Sequence, residues 1–199
     1  MLVKVSEDFA LNFPLPELSD AEFFRFCLDN KEYRIERSAE GRIEIMSNTG
    51  GKTSNRNAAL TAQMYTWALA DGRGVSFDSG ALFNLPSTAM RSPDGAWTAR
   101  DRLSKIRTDD PEGILPICPE FVVELASKTD RLNVLQAKMR EWMDAGCELG
   151  WLIVPATKTV YVYRAGSIET LVAPAFVEGS GPVEGFKLNL DPIWEPPGW

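Results

Sequence analysis

Apolar residues recur along the chain with two different periods, which predict a mixture of helices and strands. The helical spacing of three to four residues runs from Thr53 to about Ala70 and again through "DRLNVLQAKMREWMDAG", residues 130–146. "LSDAEFFRFCLDN", residues 18–30, predicts another helix, opened by a capping box. We expect Thr53 to be the N-cap of the second helix.

Alternating or continuously apolar runs predict strands between these helices. "YRIERSAEGRIEIMS" predicts a hairpin, "GVSFDSGALFNLP" two strands, "RSPDGAWTAR" a third and "EFVVELAS" a buried central strand. "ELGWLIVP", "TKTVYVYRAG" and "SIETL" predict two or three more. Together they predict a single α/β (α+β) domain over residues 1–199, with a mixed central sheet flanked by helices. Its core spans about 18–190, and residues 191–199 are expected to be a loose tail.

Composition is typical of a soluble globular protein, with 44% hydrophobic and 25% charged residues. No run of about 18 apolar residues predicts a membrane span, and the first residues lack the pattern of a signal peptide. The three cysteines, Cys27, Cys118 and Cys147, are odd in number and far apart, which argues for a reducing compartment. We therefore expect a cytoplasmic protein with no membrane association.

Charge and residue content narrow the possible chemistry. The chain has no histidine, which excludes serine–histidine triads and histidine zinc sites. Any metal must be held mainly by oxygen ligands, which favours magnesium, manganese or calcium. The formal charge of −7 is unfavourable for non-specific nucleic-acid binding, although a local basic patch can coexist with it.

Glu124 is unusual because it lies within the apolar strand "FVVEL". A buried carboxylate is costly unless a cation or a hydrogen-bond donor meets it. Strand alternation puts Glu124 on one face of the sheet with Val122 and Ala126. Asp94, directly after Pro93, is a second carboxylate in a neighbouring strand. Two such groups can converge on one divalent ion, which activates water against a phosphodiester.

The order "SPD … VVEL" resembles the PD-(D/E)XK nuclease superfamily, in which a proline–aspartate is followed on the next strand by glutamate, a spacer and lysine. This chain departs from the pattern because Ala126 stands at the lysine position. The following helix offers a replacement: Lys138 lies roughly 65° from the centre of its apolar stripe, so its ammonium group can reach the strand. Lys128, in the intervening loop, is the alternative lysine.

A lysine on the helix after the glutamate strand makes the chain similar to the Uma-type restriction endonuclease family. The resemblance covers most of residues 30–165, including "CPEFVVELASKTDRLNVLQAKMREWMDAG", and the separation of 14 residues between Glu124 and Lys138 fits the family. Two departures are Lys128, where the family usually has proline, and the missing aspartate before the proline of "LIVP".

The resemblance implies a restriction-endonuclease-like fold and an Mg²⁺- or Mn²⁺-dependent endonuclease that cuts DNA as a homodimer. Asp94 and Glu124 would bind the metal with a backbone carbonyl near Leu125, and Lys138 would be the catalytic cation. Less definite family positions are Gln136, which we include among the catalytic residues, and Ser127. The first hairpin can add a carboxylate from Glu36 or Glu44.

Several interpretations remain open at this level. The basic cluster "RDRLSKIR" can bind nucleic acid or be an ordinary solvated helix; its cations are Arg100, Arg102, Lys105 and Arg107. The enzyme hypothesis competes with a nuclease-like fold that serves as a binding or assembly module with little catalysis, since a fold alone does not determine function. A phosphodiester substrate smaller than DNA is not distinguished from DNA.

Overall fold

The computed structural model describes residues 18–46, 49–106 and 113–198 as five α-helices, two short 3-10 helices and twelve strands. The helices are α1 (Asp20–Asp29), α2 (Gly51–Asp71), α3 (Arg100–Leu103), α4 (Leu132–Asp144) and α5 (Asp191–Trp194), with 3-10 turns at Pro155–Thr157 and Gly181–Val183. The strands are β1 (Arg34–Arg37), β2 (Ile43–Met46), β3 (Gly74–Asp78), β4 (Phe83–Asn84), β5 (Met90–Arg91), β6 (Gly95–Ala99), β7 (Phe121–Leu125), β8 (Leu149–Val154), β9 (Thr159–Arg164), β10 (Ser167–Val172), β11 (Phe176–Glu178) and β12 (Lys187–Asn189).

The central sheet has six strands in the order β10-β9-β8-β7-β6-β3. Strands β7 and β8 run parallel and are connected by α4, whereas the other neighbouring pairs are antiparallel. A parallel pair needs a crossover of this kind because a tight turn cannot bring the chain back to the same end. The predicted mixed α+β sheet flanked by helices is confirmed.

Alternation along β7 separates two apolar cores. Phe121, Val123 and Leu125 pack in the core on the α2 side of the sheet, whereas Val122 packs with Met139 of α4 on the other side. Each residue in the strand is buried. Because side chains alternate, Glu124 shares the face of Val122 and is covered by α4.

A second, four-stranded sheet in the order β2-β1-β5-β4 lies beside this face. Its hairpin, β1–β2, has the predicted position, and the predicted capping box of α1 is present between Ser19 and Glu22. Phe23 of α1 packs with Ile35 and Met90 in a third, smaller core. The hairpin thereby brings β1 next to the chain segment that precedes β6.

Two predictions about element ends were wrong. Helix α2 begins at Gly51, and its N-cap is Gly50 rather than Thr53. The backbone of Gly50 is extended, and its carbonyl already accepts a hydrogen bond from the Ser54 N–H at 2.9 Å. The expected loose tail is instead anchored over most of its length: Trp194 of α5 is only 6% exposed and belongs to the α2-side core.

The anchoring has a local cause. The Trp194 indole N–H donates to the Pro174 carbonyl at 2.9 Å, and Arg56 of α2 donates to the Ile193 carbonyl at 2.7 Å. No helix in the described part of the chain is both long enough and apolar enough to cross a membrane.

Trp194→Ala should lower the free energy of unfolding by about 3–5 kcal/mol, because it removes a large buried side chain and leaves a cavity. Urea unfolding followed by circular dichroism measures the change. The control is Pro197→Ala, which alters an exposed position and should stay within about 0.5 kcal/mol of wild type. An unchanged midpoint for Trp194→Ala would contradict the anchored tail.

Candidate active site

Glu124 meets two donors from α4. Its Oε1 lies 2.9 Å from the Lys138 Nζ and accepts a 2.9 Å hydrogen bond from the Trp142 indole N–H. All three side chains are buried. Lys138 and Trp142 are four residues apart and so lie on one face of the helix. The reach of Lys138 was predicted from the sequence, whereas the contact of Trp142 with Glu124 was not.

Asp94 lies beside Glu124 across the sheet. Strand β6 is antiparallel to β7, with Gly95 opposite Val123. Asp94 and Glu124 each lie one residue beyond that pair, so they are cross-strand neighbours on the face covered by α4; Cβ atoms in such positions are about 4.5–5.5 Å apart. The predicted pair of carboxylates is therefore brought together.

Pro93 explains why the ladder opens at this point. The Leu125 N–H donates to Asp94 Oδ2 at 2.8 Å, so the side chain of Asp94 replaces a backbone acceptor. Continued register would set Leu125 opposite Pro93, which has no N–H to donate. The Leu125 carbonyl points to the same neighbouring strand as its N–H. Pro93 has no N–H to donate to this carbonyl.

Lys138 also contacts the hairpin and the open segment. Its Nζ lies 3.0 Å from Glu36 Oε1 and donates to the Ser92 carbonyl at 3.0 Å. Glu36, one of the two hairpin candidates, is thus part of the site. Glu44, the other candidate, lies opposite Glu36 in the β1–β2 register and does not contact Lys138. Like charges placed opposite each other need a cation between them.

Arg91 supplies that cation. Its Nη1 lies 3.2 Å from Glu36 Oε2 and 2.6 Å from Glu44 Oε2, and its Nε and Nη2 bind Glu141 of α4 at 2.7 and 3.0 Å. Arg34 bridges the other side, with Nη1 at 3.2 Å from Asp94 Oδ1 and Nη2 at 3.3 Å from Glu36 Oε1.

Neither arginine of the site was predicted from the sequence. Arg91 begins the "RSPDGAW" motif and Arg34 stands two residues before Glu36, yet no local pattern distinguishes a buried arginine from a solvated one. The eight charged side chains form what we call the ionic cluster: Glu36, Glu44, Asp94, Glu124, Glu141, Arg34, Arg91 and Lys138.

Burial and neighbouring charge give the two inner glutamates different pKa values. Burial raises the pKa of Glu124 to about 7 despite the attraction of Lys138, and the negative charges of Asp94 and Glu36 add to the rise. Burial acts on Glu36 too, but Lys138, Arg34 and Arg91 together hold its pKa below the usual range. The pKa of Lys138 is raised, because Glu124 and Glu36 outweigh the opposing effect of burial.

The oxygen ligands present suit an ion such as Mg²⁺, which needs only a few protein ligands, better than a metal that is enclosed entirely by protein ligands. Among residues 18–46, 49–106 and 113–198, no group of three or more acidic, cysteine or histidine side chains is arranged to hold a metal. Mg²⁺ is usually bound by one or two carboxylates together with water and substrate oxygens. Asp94, Glu124 and the Leu125 carbonyl offer such a partial set. When fully ionised, the ionic cluster has five carboxylates against three cations, an excess of two negative charges.

The remaining predicted residues near the site do not join the ionic cluster. Gln136 is half-buried on α4, and its side chain makes no hydrogen bond within the described part of the chain. Ser127 follows β7, and its contacts are local, with its N–H donating to Asp130 at 2.7 Å. Lys128 is exposed in the same loop. Of the two lysines considered, Lys138 is the one that meets the carboxylates.

The basic cluster lies away from the site. Arg100 is six residues after Asp94 and directly follows the far end of β6. Six residues of extended strand span about 20 Å. Arg100 donates to the Gly72 carbonyl, Arg102 pairs with Glu120 at 3.2 Å, and Lys105 lies 3.8 Å from the Asp101 carboxylate. Arg107 lies outside the described residues. The structure does not bring this cluster to Asp94 and Glu124, and its binding to nucleic acid stays a prediction.

Glu124 should make stability fall as pH rises from about 5 to 8. The folded protein holds the Glu124 proton up to about pH 7, whereas the unfolded chain releases it near the ordinary value of 4.5. The folded state therefore binds more protons in this window, and up to about 3 kcal/mol is lost across it. Glu36 has the opposite effect, at pH values below this window. Its pKa is lowered in the folded protein, so it stabilises the fold at pH values above its ordinary pKa, and this stabilisation is lost as the pH falls. Urea unfolding at successive pH values measures the slope.

Glu124→Gln should flatten this slope, whatever its effect on absolute stability. The chain has no histidine, whose titration would overlap this pH range, so a change in slope can be assigned to Glu124. Glu148→Gln is the matched control, since Glu148 is exposed, and it should keep the wild-type slope. Equal slopes in wild type and Glu124→Gln would mean that Glu124 is ionised throughout the window.

Comparison with known proteins places this geometry in a family. A family model described as "Uma2: Putative restriction endonuclease" matches residues 20–191 of the 199-residue chain. The chain is also similar to a crystal structure described as "a putative nuclease belonging to DUF820 from Anabaena variabilis", with a TM-score of 0.69, 19% identity, and coverage of 80% of this chain and 89% of that one. No match was found among curated proteins.

The structural likeness, at this level of identity, concerns the fold alone, and it confirms the expected nuclease-like fold. The family match is stronger, because it spans most of the chain, including both strands that carry the carboxylates and the helix that carries Lys138. The chain belongs to the Uma2 family.

Proposed function

We propose that the protein is a metal-dependent endonuclease that hydrolyses phosphodiester bonds in DNA, with Mg²⁺ or Mn²⁺ as its cofactor. The observation that carries the proposal is the convergence of Lys138 on Glu124 at 2.9 Å, beside Asp94 at the opened end of the β6–β7 ladder. The family description and the nuclease-like fold support the same class of activity.

Asp94 and Glu124 would hold the ion, with the Leu125 carbonyl as a further ligand. Such an ion polarises the phosphodiester and makes hydroxide available near neutral pH. The Leu125 N–H fixes one oxygen of Asp94, and the Trp142 indole fixes Oε1 of Glu124. Both ligands are therefore oriented by rigid elements before any substrate binds.

Lys138 would orient the attacking water and stabilise negative charge on the phosphate in the transition state. It can do so because Glu36 and Glu124 keep its ammonium group protonated and hold it in place. Its fixed position on α4 contrasts with the exposed loop that carries Lys128.

Mn²⁺ binding should release about 0.8 of a proton per ion at pH 6.5 and about 0.1 at pH 8, because a carboxylate ligand must be ionised and the pKa of Glu124 is about 7. Calorimetry in buffers of different ionisation enthalpy measures the proton count. Asp94→Asn and Glu124→Gln should each weaken binding at least about tenfold, while Glu148→Gln should not. Wild-type affinity in Asp94→Asn would contradict the assigned ligands.

Lys138→Met should lower the rate of supercoiled-plasmid nicking by roughly 10²–10³-fold at saturating Mn²⁺. Lys128→Met is the matched control and should keep wild-type activity. Loss of activity in Lys128→Met with retention in Lys138→Met would assign the catalytic role to the loop lysine. Parallel assays with an activated phosphodiester of low molecular weight would distinguish DNA from a smaller substrate.

A binding or assembly module with little catalysis is the second candidate. The observation that favours it is the pairing already present in the ionic cluster, where Arg34 and Lys138 contact the same carboxylates that a metal would use. A closed ionic network of this kind can be purely structural. It predicts neither Mn²⁺ binding nor nicking in a folded wild-type protein.

Homodimerisation belongs to the endonuclease proposal, because cutting both strands of a duplex requires two sites. Two copies related by a twofold axis would present them to opposite strands. Sedimentation of the wild-type protein with and without a DNA duplex distinguishes a dimer from a monomer.

A further inference from the structure

Arg34 is the most solvent-accessible cation of the ionic cluster. Its side chain is 27% exposed, compared with 10% for Lys138 and 3% for Arg91. Arg91 is enclosed by three carboxylates, whereas Arg34 contacts Asp94, one of the two proposed metal ligands. A substrate approaching the two metal-binding carboxylates would therefore meet Arg34 before the other cations.

The donors of Arg34 are only partly used. A guanidinium has five N–H donors; Nη1 binds Asp94, and Nη2 binds Glu36 and the Ser92 carbonyl. Its Nε is buried and has no hydrogen-bond partner in the described part of the chain. A buried donor left without a partner costs about 1–3 kcal/mol. Nη1 has two N–H groups and only Asp94 as an acceptor in the described part of the chain, so its second N–H is left for an anionic oxygen.

Arg34 and Lys138 also form a pair. Both pair with Glu36 Oε1, at 3.3 and 3.0 Å, and both donate to the Ser92 carbonyl. Ser92 lies in the segment between β5 and β6, outside both strands. Two cations so close together favour a ligand that carries negative charge on more than one oxygen.

We propose that Arg34 is a further catalytic residue, whose guanidinium binds a non-bridging oxygen of the scissile phosphate while Lys138 acts on the attacking side. The inference rests on the proposed function. A planar guanidinium suits this role, since it can contact the phosphate and keep its hydrogen bonds to Asp94 and Glu36 at the same time.

The alternative is that Arg34 only positions Asp94. The two roles differ in what they do to metal binding: a positioning residue acts through the ligand, so its loss weakens the metal site and catalysis together. A phosphate contact contributes to DNA binding and turnover but leaves the metal ligands in place.

The test compares Arg34→Met and Arg34→Lys with the control Arg42→Met, which alters an exposed arginine of the same hairpin that pairs with Glu40. Calorimetry with Mn²⁺ alone measures the metal site, and plasmid nicking at saturating Mn²⁺ gives kcat and KM. Circular dichroism establishes that each variant is folded.

A phosphate contact predicts that Arg34→Met loses about 10²-fold or more in kcat/KM while its Mn²⁺ affinity stays within about threefold of wild type. Arg34→Lys should recover part of the activity because it restores the charge without the planar fork. A parallel fall in Mn²⁺ affinity and activity overturns the proposal in favour of positioning. Unchanged nicking overturns it as well.

A second readout keeps the inference testable if the wild type does not cut DNA. Binding of a fluorescein-labelled DNA duplex is measured by anisotropy, with Mn²⁺ present, in Lys138→Met and in Lys138→Met/Arg34→Met. A tenfold weaker Kd in the double variant supports the phosphate contact, even though the endonuclease proposal has failed; an equal Kd overturns it.

Discussion

The structure around the site depends on the cost of burying Glu124 in an apolar strand. A carboxylate in that position must be neutralised or paired, and α4 supplies both an ammonium group and an indole N–H one helical turn apart. The helix is therefore docked against the sheet by a polar contact at the centre of an otherwise apolar interface. Removing Glu124 would leave the buried Trp142 indole without its acceptor, and removing Lys138 would leave Glu124 with the indole alone, so the two elements are energetically coupled.

The proline–aspartate pair has a consequence beyond supplying a carboxylate. Pro93 cannot donate to β7, so the ladder between β6 and β7 stops at Gly95 and Val123. The side chain of Asp94 then accepts the Leu125 N–H, and the Ser92 carbonyl becomes available to Lys138. One missing backbone donor thus creates the polar opening in which two carboxylates and a lysine meet.

Charge balance explains why the same residues can be read as a structural network or as a metal site. The arginines hold the outer carboxylates, and Lys138 is shared between the hairpin and the central strand. Burial in the apolar strand raises the pKa of Glu124 to about 7, and the negative charges of Asp94 and Glu36 add to the rise. A cation that binds between Glu124 and Asp94 would reduce the repulsion between these carboxylates. It would not have to displace Arg34 or Lys138, because the ionic cluster has more carboxylates than cations.

The sequence by itself determined the elements, the mixed sheet, the face on which Glu124 lies and the reach of Lys138, because these follow from periodicity and strand alternation. It also indicated Asp94 and Glu36. Only the tertiary structure decided that Arg34 and Arg91 pair with the carboxylates, that Trp142 holds Glu124, and that Trp194 anchors the tail. These contacts join residues far apart in the chain or on different elements, and no local pattern tells a paired arginine or tryptophan from an unpaired one.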